Sequence, residues 1–325
     1  MTQRGSPPPL PSALIVAGPT ASGKSALALA LAQRVGGVVV NADSMQVYRE
    51  LRVLTARPTP ADEAAAPHRL YGIRAAAEPA SAAWWRGQAL AAMEEASASG
   101  GLPILCGGTG LYFSSLTRGL ADVPEVPDWA RREARARLAA LGAAALHEEL
   151  ARSDPATAAG LRPTDGQRVA RAFEVLLGTG RGLAAWQETG IRPVPWRFSA
   201  ILLRPPRQEL RDAVAARFDG MLRDGALDEV RALVDRGLDS ALPAMRAHGV
   251  PELAAYLAGR IDLPEARDRA VAHTRQYIKR QGTWFRHHPL TDRHRVQHID
   301  AQVTDLEQFS ERLFSEILAF VQAVR

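Results

Sequence analysis

The chain has 325 residues, 46% hydrophobic and 23% charged, the profile of a folded protein with two domains or one large domain carrying an insertion. Its one cysteine, Cys106, excludes an internal disulfide and any multi-cysteine metal site, and no run of about 18 apolar residues is present to span a membrane. Forty basic against 35 acidic residues give a net charge of +5, which permits a polyanionic partner without demanding one.

The opening MTQRGSPPPLPS is polar and Pro-rich, lacks the apolar core of a signal peptide, and reads as a disordered lead over residues 1–12; a cytoplasmic enzyme is the expectation. Residues 13–17, ALIVA, form a buried-strand pattern. GPTASGKS follows at 18–25 and matches G-x-x-x-x-G-K-[ST], and SALALALAQRV continues with the apolar density of a helix packed on a sheet. Strand, loop and helix in that order make a phosphate cradle: glycines let the backbone wrap, its N–H groups turn inward, and the helix N-terminus adds its positive end. Gly18, Pro19, Thr20, Ala21, Ser22, Gly23, Lys24 and Ser25 are therefore the candidate phosphate site, with Lys24 reaching the terminal phosphates and the Ser25 hydroxyl offered to Mg²⁺. Only Lys24 and Lys279 among the 40 basic residues are lysines, so a compact, flexible point charge is retained at this loop.

A second β-branched run at 38–42, VVVNA, ends in DSMQVY. Asp43 stands at the C-terminal edge of a strand beside the phosphate loop, where open α/β sheets place their chemistry; it also suits the cap of a helix over DSMQVYREL, with Ser44 as the rival cap. A third strand is expected at 102–106, after the helical stretch 84–97, running into GGTGLY at 107–112. That strand ends in no acid, so there is no clear Walker-B aspartate, which favours transfer of a group over nucleotide hydrolysis. Its glycines and Thr109 read as a second close approach to bound ligand.

After the Pro-rich hinge ADVPEVPDW at 121–129, residues 129–190 read as short helices without strands, an insertion with ends near 122 and 195. One of its helices carries Val169, Phe173, Val175, Leu176 and Leu177 as the apolar side and Gln167, Arg168 and Arg171 in its first turns. Residues 198–204 return to strand character and rejoin the sheet. The next helix, RQELRDAVAARFDGML, carries Arg207, Arg211 and Arg217, a solvated face or a phosphate contact. Residues 267–298 hold eight basic residues against two acidic ones. Arg275 and Lys279 share a helical face, and Trp284 and Phe285 lie among the charges, a pattern that suits RNA backbone and stacked bases or a solvated helix with both rings in the core. His287, His288, His294 and His298 have no metal-ligand spacing and are taken as surface residues. The expected architecture is α/β: a P-loop NTPase-like core with a central, mostly parallel sheet flanked by helices (13–121 and 196–325, the latter with a basic helical C-terminal region), plus an all-helical insertion at 122–195.

Taken together, GPTASGKS at 18–25, NADSMQVY at 41–48, APHRLYG at 66–72, GGTGLYF at 107–113, DGQRVARAFEV at 165–175 and TRQYIKRQGTWFR at 274–286 resemble the tRNA dimethylallyltransferase family across residues 13–287. The resemblance implies transfer of a dimethylallyl group from dimethylallyl diphosphate to N6 of adenosine 37, next to the anticodon, with release of diphosphate. It implies that loop 18–25 cradles the diphosphate, that Asp43 is the general base, that Thr109 holds substrates at the reaction centre, and that Lys24 and Arg217 bind the diphosphate. It further implies tRNA contacts from Asp43, Ser44, Met45, Gln46, Thr109, Arg131, Gln167, Arg168, Val169, Ala170 and Arg171; the basic run adds Arg275, Lys279, Arg280 and Arg286. The partners expected are the tRNA anticodon stem-loop and dimethylallyl diphosphate with Mg²⁺ held through Ser25, and no membrane; a monomer is expected. The chain departs from the family pattern at RVLTARP, with Leu54 and Arg57 where DIGTAKP is common, at Tyr71 and Gly72, and at AHGVPELAAY, with Val250 and Pro251. A phosphate loop followed by an acid also suits a small-molecule kinase, and the basic run alone suits a non-catalytic RNA-binding module.

Overall fold

Short runs of Val, Ile and Leu can be buried on both faces only in a parallel sheet covered by helices, and that is where the chain places them. In a computed structural model describing residues 10–303 and 311–323, β1 (Ser12–Ala17) leads through the phosphate-loop sequence into α1 (Lys24–Val35), and β2 (Gly37–Asn41) follows. Residues 1–9 of the expected lead lie outside the described residues, and Ser12 already belongs to β1. No helix forms over DSMQVYREL. Asp43 Oδ1 accepts from Met45 N at 2.9 Å, a contact two residues ahead that holds the chain in a turn, and the Gln46 amide donates to the carbonyls of Thr55 and Ala56 at 2.8 and 3.1 Å.

The chain continues through α2 (Pro60–Ala65), β3 (His68–Arg69), α3 (Ala82–Ala98), β4 (Leu102–Gly107) and α4 (Gly110–Thr117). Side-chain caps set two of these starts: Thr59 and Asp62 form a reciprocal capping box on α2, and Ser81 Oγ accepts from Trp84 N on α3. Residues Arg118–Val194 then form a compact unit of their own, with α5 (Asp128–Ser153), α6 (Pro155–Ala159), α7 (Gly166–Thr179) and α8 (Leu183–Gly190). This unit starts ahead of the expected residue 122 because Leu120 and Arg192 pair in an antiparallel bridge that ties its two ends. α5 breaks at Gly142 (φ 79°, ψ 170°), and its two parts pack with α6 and α7 around Ala134, Leu146, Leu150, Ala158, Val169 and Phe173.

The first unit resumes with β5 (Arg197–Leu203), α9 (Arg207–Arg223), α10 (Ala226–Val234), a 3₁₀ turn at Ala244–Arg246, α11 (Val250–Leu257), α12 (Leu263–His287), β6 (Val296–Ile299) and α13 (Glu311–Ala323). Its six strands lie in the order β3-β2-β4-β1-β5-β6, every pairing parallel. Leu14, Val16, Val39, Ile104, Cys106, Ile201 and Ile299 join Leu27 and Leu31 of α1 and Ile317 and Val321 of α13 in its core. Ala17 is level with Gly107, and Asn41 with Cys106. The chain therefore leaves β1, β2 and β4 at one edge of the sheet, where the candidate groups gather. Among the described residues no helix is long and apolar enough to cross a membrane.

Candidate active site

At the end of β1 the backbone turns through left-handed conformations at Ala21 (φ 65°) and Gly23 (φ 86°) before α1 starts at Lys24. The glycine is required twice over, because a Cβ at position 23 would also fall 1.9 Å from the Val303 carbonyl oxygen. Residues 302 and 303 back the loop from outside: Val303 N donates to Ser22 O at 3.1 Å, and the Gln302 amide donates to Ala21 O at 2.7 Å. Lys24 Nζ donates to Pro19 O at 3.4 Å. Burial pulls the Lys24 ammonium below its ordinary pKa, and the nearby Asp43 carboxylate partly opposes the shift.

Asp43 follows β2 in a braced turn. The buried Asn41 amide donates to the carbonyls of Asp43 (3.0 Å) and Leu70 (3.1 Å), while its oxygen accepts from Asp43 N at 2.8 Å. Thr109 holds the other side: its hydroxyl accepts from Ser44 N at 3.0 Å and donates to Ser44 Oγ at 3.4 Å, and its own N–H donates to Ala42 O at 3.2 Å. What comes close to the glycines around Thr109 is other parts of the protein. A Cβ would meet Ala42 O at 2.1 Å from Gly107, Gln281 Nε2 at 2.2 Å from Gly108, and the Trp284 ring at 2.2 Å from Gly110. Protein fills the space that those side chains would need.

The loop and the Asp43 turn open into a cavity of about 420 Å³. Thr20, Ala21, Gly23, Lys24 and Ser25 line it together with Asp43, Ser44, Met45 and Gln46. Its far wall is the face of α9 that carries Val214, Arg217, Phe218 and Met221, spaced i, i+3, i+4, i+7. Leu54, Ala247 and His248 add to this wall, and Tyr277 and Arg280 come from α12. Leu54 and Phe218 both close on Gly249, where a Cβ would lie 2.8 and 3.1 Å from them. Arg217 Nη2 donates to Thr55 O at 3.4 Å; burial lowers its pKa while Asp43 raises it. The His248 ring lies 4.9 Å from that of Tyr277, and burial depresses its pKa. A cavity with Lys24, Arg217, Arg246 and Arg280 against the one carboxylate of Asp43 suits an anionic ligand with an apolar portion.

The donor set also fits Mg²⁺ in one specific way. The Ser25 hydroxyl is exposed in the first turn of α1, and a hard cation that keeps water and phosphate oxygens needs few protein ligands. Among the described residues no group of three or more His, Cys, Asp or Glu side chains is placed to hold a metal.

Several expected residues fall elsewhere. Gly18, Pro19 and Ser22 build the loop, and Thr109 stands behind Ser44. Arg207 and Arg211 are exposed on α9, and the Arg211 carbonyl accepts from Arg275 at 3.1 Å. Arg275, Lys279, Arg280 and Arg286 lie on the outer surface of α12, with Arg280 at the cavity as well. Phe285 is buried and packs toward Phe113, whereas Trp284 is half-buried, covers Gly110 and stacks on His288 (centroids 4.7 Å apart, 7° between planes). In the helical unit Gln167 and Arg168 are exposed, Ala170 is half-buried, and Arg131 and Arg171 both bind Glu174, at 3.3 and 2.5 Å. Val169 is 0% exposed, so the expected RNA contact from its side chain is corrected: it belongs to that unit's core. The sequence reading did not reach Gln281, Tyr277, His248 or the wall formed by Leu54, Val214, Phe218 and Met221. The available signal for the wall was an arginine set within an apolar helical stripe.

A family model described as IPP transferase matches residues 46–288, and one described as isopentenyl transferase matches residues 11–78. The chain is 58% identical over 312 residues to the tRNA dimethylallyltransferase of Granulibacter bethesdensis (96% of this chain, 98% of the relative). It is 59% identical over 317 residues to that of Acidiphilium cryptum (97% and 96%). Among solved structures, the full-length tRNA isopentenylpyrophosphate transferase of Bacillus halodurans matches with a TM-score of 0.67 at 33% identity, covering 96% of each chain. A eukaryotic dimethylallyltransferase acting on tRNA shares the fold, with a TM-score of 0.81 at 24% identity over 97% of this chain and 80% of its own.

Proposed function

The chain belongs to the IPP transferase family, and we propose that it transfers the dimethylallyl group of dimethylallyl diphosphate to N6 of adenosine 37 in tRNA, releasing diphosphate. The observation that carries this reading is a single cavity that sets Lys24 and Arg217, Asp43, and the aliphatic wall of α9 around one space. Each part of the reaction has a group suited to it.

An exocyclic adenine amine attacks poorly because its lone pair is delocalised into the ring, and it becomes acidic only as the new N–C bond forms. Asp43 accepts that proton, held at the required place by Asn41 on one side and by the Thr109–Ser44 bonds on the other. On the donor, C–O cleavage moves charge onto the diphosphate while the allylic carbon gains cationic character. Lys24, Arg217 and the N–H groups opening α1 meet that charge. Mg²⁺ bound to the diphosphate and the Ser25 hydroxyl would add charge neutralisation there. Leu54, Val214, Phe218, Met221 and Ala247 surround the five-carbon chain and keep water from the cationic carbon.

The adenine must leave its stack to reach Asp43, at a cost of a few kcal/mol that contacts elsewhere offset. Exposed Arg275, Lys279, Arg280 and Arg286 supply phosphate contacts on α12, and Gln167, Arg168, Arg131 and Arg171 supply them on the helical unit. We propose further that it acts in the cytoplasm, where its tRNA substrate resides, and as a monomer. Incubation of undermodified tRNA with radiolabelled dimethylallyl diphosphate, followed by nucleoside analysis, tests it: label is expected on N6 of adenosine 37, and ATP turnover with no label in tRNA would reject the assignment.

A further inference from the structure

Gln281 is 4% exposed, and a buried amide is costly unless it is fully used. Here it is used across 261 positions of sequence: its Oε1 accepts from both Thr20 N (2.9 Å) and Thr20 Oγ1 (3.2 Å) in the first glycine loop. Its Nε2 donates to the Gly108 carbonyl (3.0 Å) in the second. A neutral amide can accept on one side and donate on the other. Position 108 must be glycine for this contact, since a Cβ there would fall 2.2 Å from Nε2.

The rest of that face of α12 is fastened to the second loop. Tyr277, one turn earlier, lies on the same face, and Trp284 lies over Gly110. Gln281 is where the same face also reaches the loop that cradles the donor. Because Thr109 in turn holds Ser44, next to Asp43, a continuous path of hydrogen bonds and short backbone runs from Thr20 to the base-bearing turn. Leucine or methionine would fill the same volume and make none of these bonds.

We infer that Gln281 is a positioning residue that fixes the distance between the diphosphate loop and the Asp43 turn, so that the departing diphosphate and the attacking amine stay in line. The inference rests on the transfer reaction proposed above. A misplacement of about 1 Å at such a centre costs on the order of 10²-fold in rate.

Two variants and two readouts test it. Gln281→Met keeps the volume and removes the amide; Gln281→Glu keeps an acceptor for Thr20 but donates to Gly108 only when its carboxyl is protonated. Pyrophosphate affinity is measured by calorimetry, and kcat per folded molecule with tRNA and dimethylallyl diphosphate. For Gln281→Met, pyrophosphate Kd is expected to rise about tenfold and kcat to fall by on the order of 10²-fold. For Gln281→Glu, the ionised carboxyl beside the diphosphate loop should weaken pyrophosphate binding and lower kcat, and the ratio of its kcat to the wild-type kcat should climb as pH is lowered and the carboxyl regains its donor. Tyr277, Lys24 and Asp43 are common to both proteins, so the ratio reports the substitution. Wild-type Kd and kcat in Gln281→Met, or a pH-independent ratio for Gln281→Glu, would overturn the inference alone. Failure of the wild-type protein to bind pyrophosphate would overturn the functional reading beneath it.

Discussion

The loops that follow β1 and β4 leave neighbouring strands at the same edge of the sheet, and both are rich in glycine. The first presents Thr20, Ala21, Gly23, Lys24 and Ser25 to the cavity. The second turns its glycines toward protein: Gly107 to Ala42, Gly108 to Gln281, Gly110 to Trp284. Its link to the cavity runs through Thr109, which holds the turn that carries Asp43. Glycine in a sequence reports that something comes close; which partner comes close is settled by the remainder of the fold. The contrast separates two kinds of substitution. Changes in groups that face the cavity should remove activity and spare stability, whereas a change at Gly110, which meets the Trp284 ring, should do the reverse.

The largest effect is expected at the turn that both loops serve. Asp43→Asn removes the proton acceptor while leaving an oxygen that can still accept from Met45 N, so the turn keeps its shape. Single-turnover transfer on prebound tRNA should slow by about 10²–10⁴-fold, with tRNA affinity within about twofold of wild type. A near-normal rate would remove Asp43 as the base.

Lys24→Met comes next, with kcat/KM down on the order of 10²–10³-fold and thermal stability unchanged or raised, since a partly desolvated charge is replaced by an apolar chain. The same residue carries a pH signature. Burial lowers the Lys24 pKa in the free protein, and a bound diphosphate stabilises the ammonium. Pyrophosphate affinity is therefore full below the lowered pKa and declines as pH rises through it, starting at a lower pH than for a solvent-exposed lysine. Loss of that decline in Lys24→Met identifies its source; its persistence would assign it to another group.

How far the sequence foretold this site depends on how local each piece is. The phosphate loop was legible because strand, glycines, lysine and helix are contiguous and each is demanded by backbone geometry. The lack of an acid after β4 was legible for the same reason. The helix that Asp43 or Ser44 would have capped over DSMQVYREL does not form, since Asp43 accepts from Met45 N only two residues on and holds the chain in a turn. Arg207, Arg211 and Arg217 looked alike as a set of charges. Only Arg217 lies within the run from Val214 to Met221 that lines the cavity, whereas Arg207 and Arg211 precede that run and are exposed, so the flanking apolar residues, not the charge count, mark the one that enters. Gln281 was out of reach altogether: nothing near it in sequence indicates partners at Thr20 and Gly108. For Trp284 and Phe285 the sequence left base stacking and core packing both open, because the residues that pack on them, Gly110 and Phe113, come from a distant part of the chain.

In the second loop, Gly110→Ala should show the opposite pattern to Lys24→Met. The added methyl meets the Trp284 ring at 2.2 Å, and relief requires that ring to shift against His288 and Phe285. A destabilisation of about 1–3 kcal/mol is expected from such overpacking, read from denaturant midpoints, with pyrophosphate affinity per folded molecule preserved. Loss of pyrophosphate binding without loss of stability would mean that this loop touches the donor after all, and the distinction between the loops would collapse.

The smallest effect belongs to the surface that neither loop reaches. Lys279 is exposed on α12, one turn from Arg275 and adjacent to Arg280, and we propose that its ammonium meets tRNA as a point charge beside phosphate. Each such contact releases a condensed counterion, so the logarithm of the binding constant falls with the logarithm of salt concentration by about 0.7–0.9 per contact. Lys279→Ala should therefore weaken tRNA binding only a few-fold at moderate salt, leave kcat on saturating tRNA unchanged, and flatten the salt slope by close to one contact's share. Titrations of wild type and variant across a fourfold range of salt separate this from a structural effect: a packing defect shifts both lines without changing their slope. An unchanged slope would take Lys279 out of the RNA-binding surface and leave the neighbouring arginines to account for it.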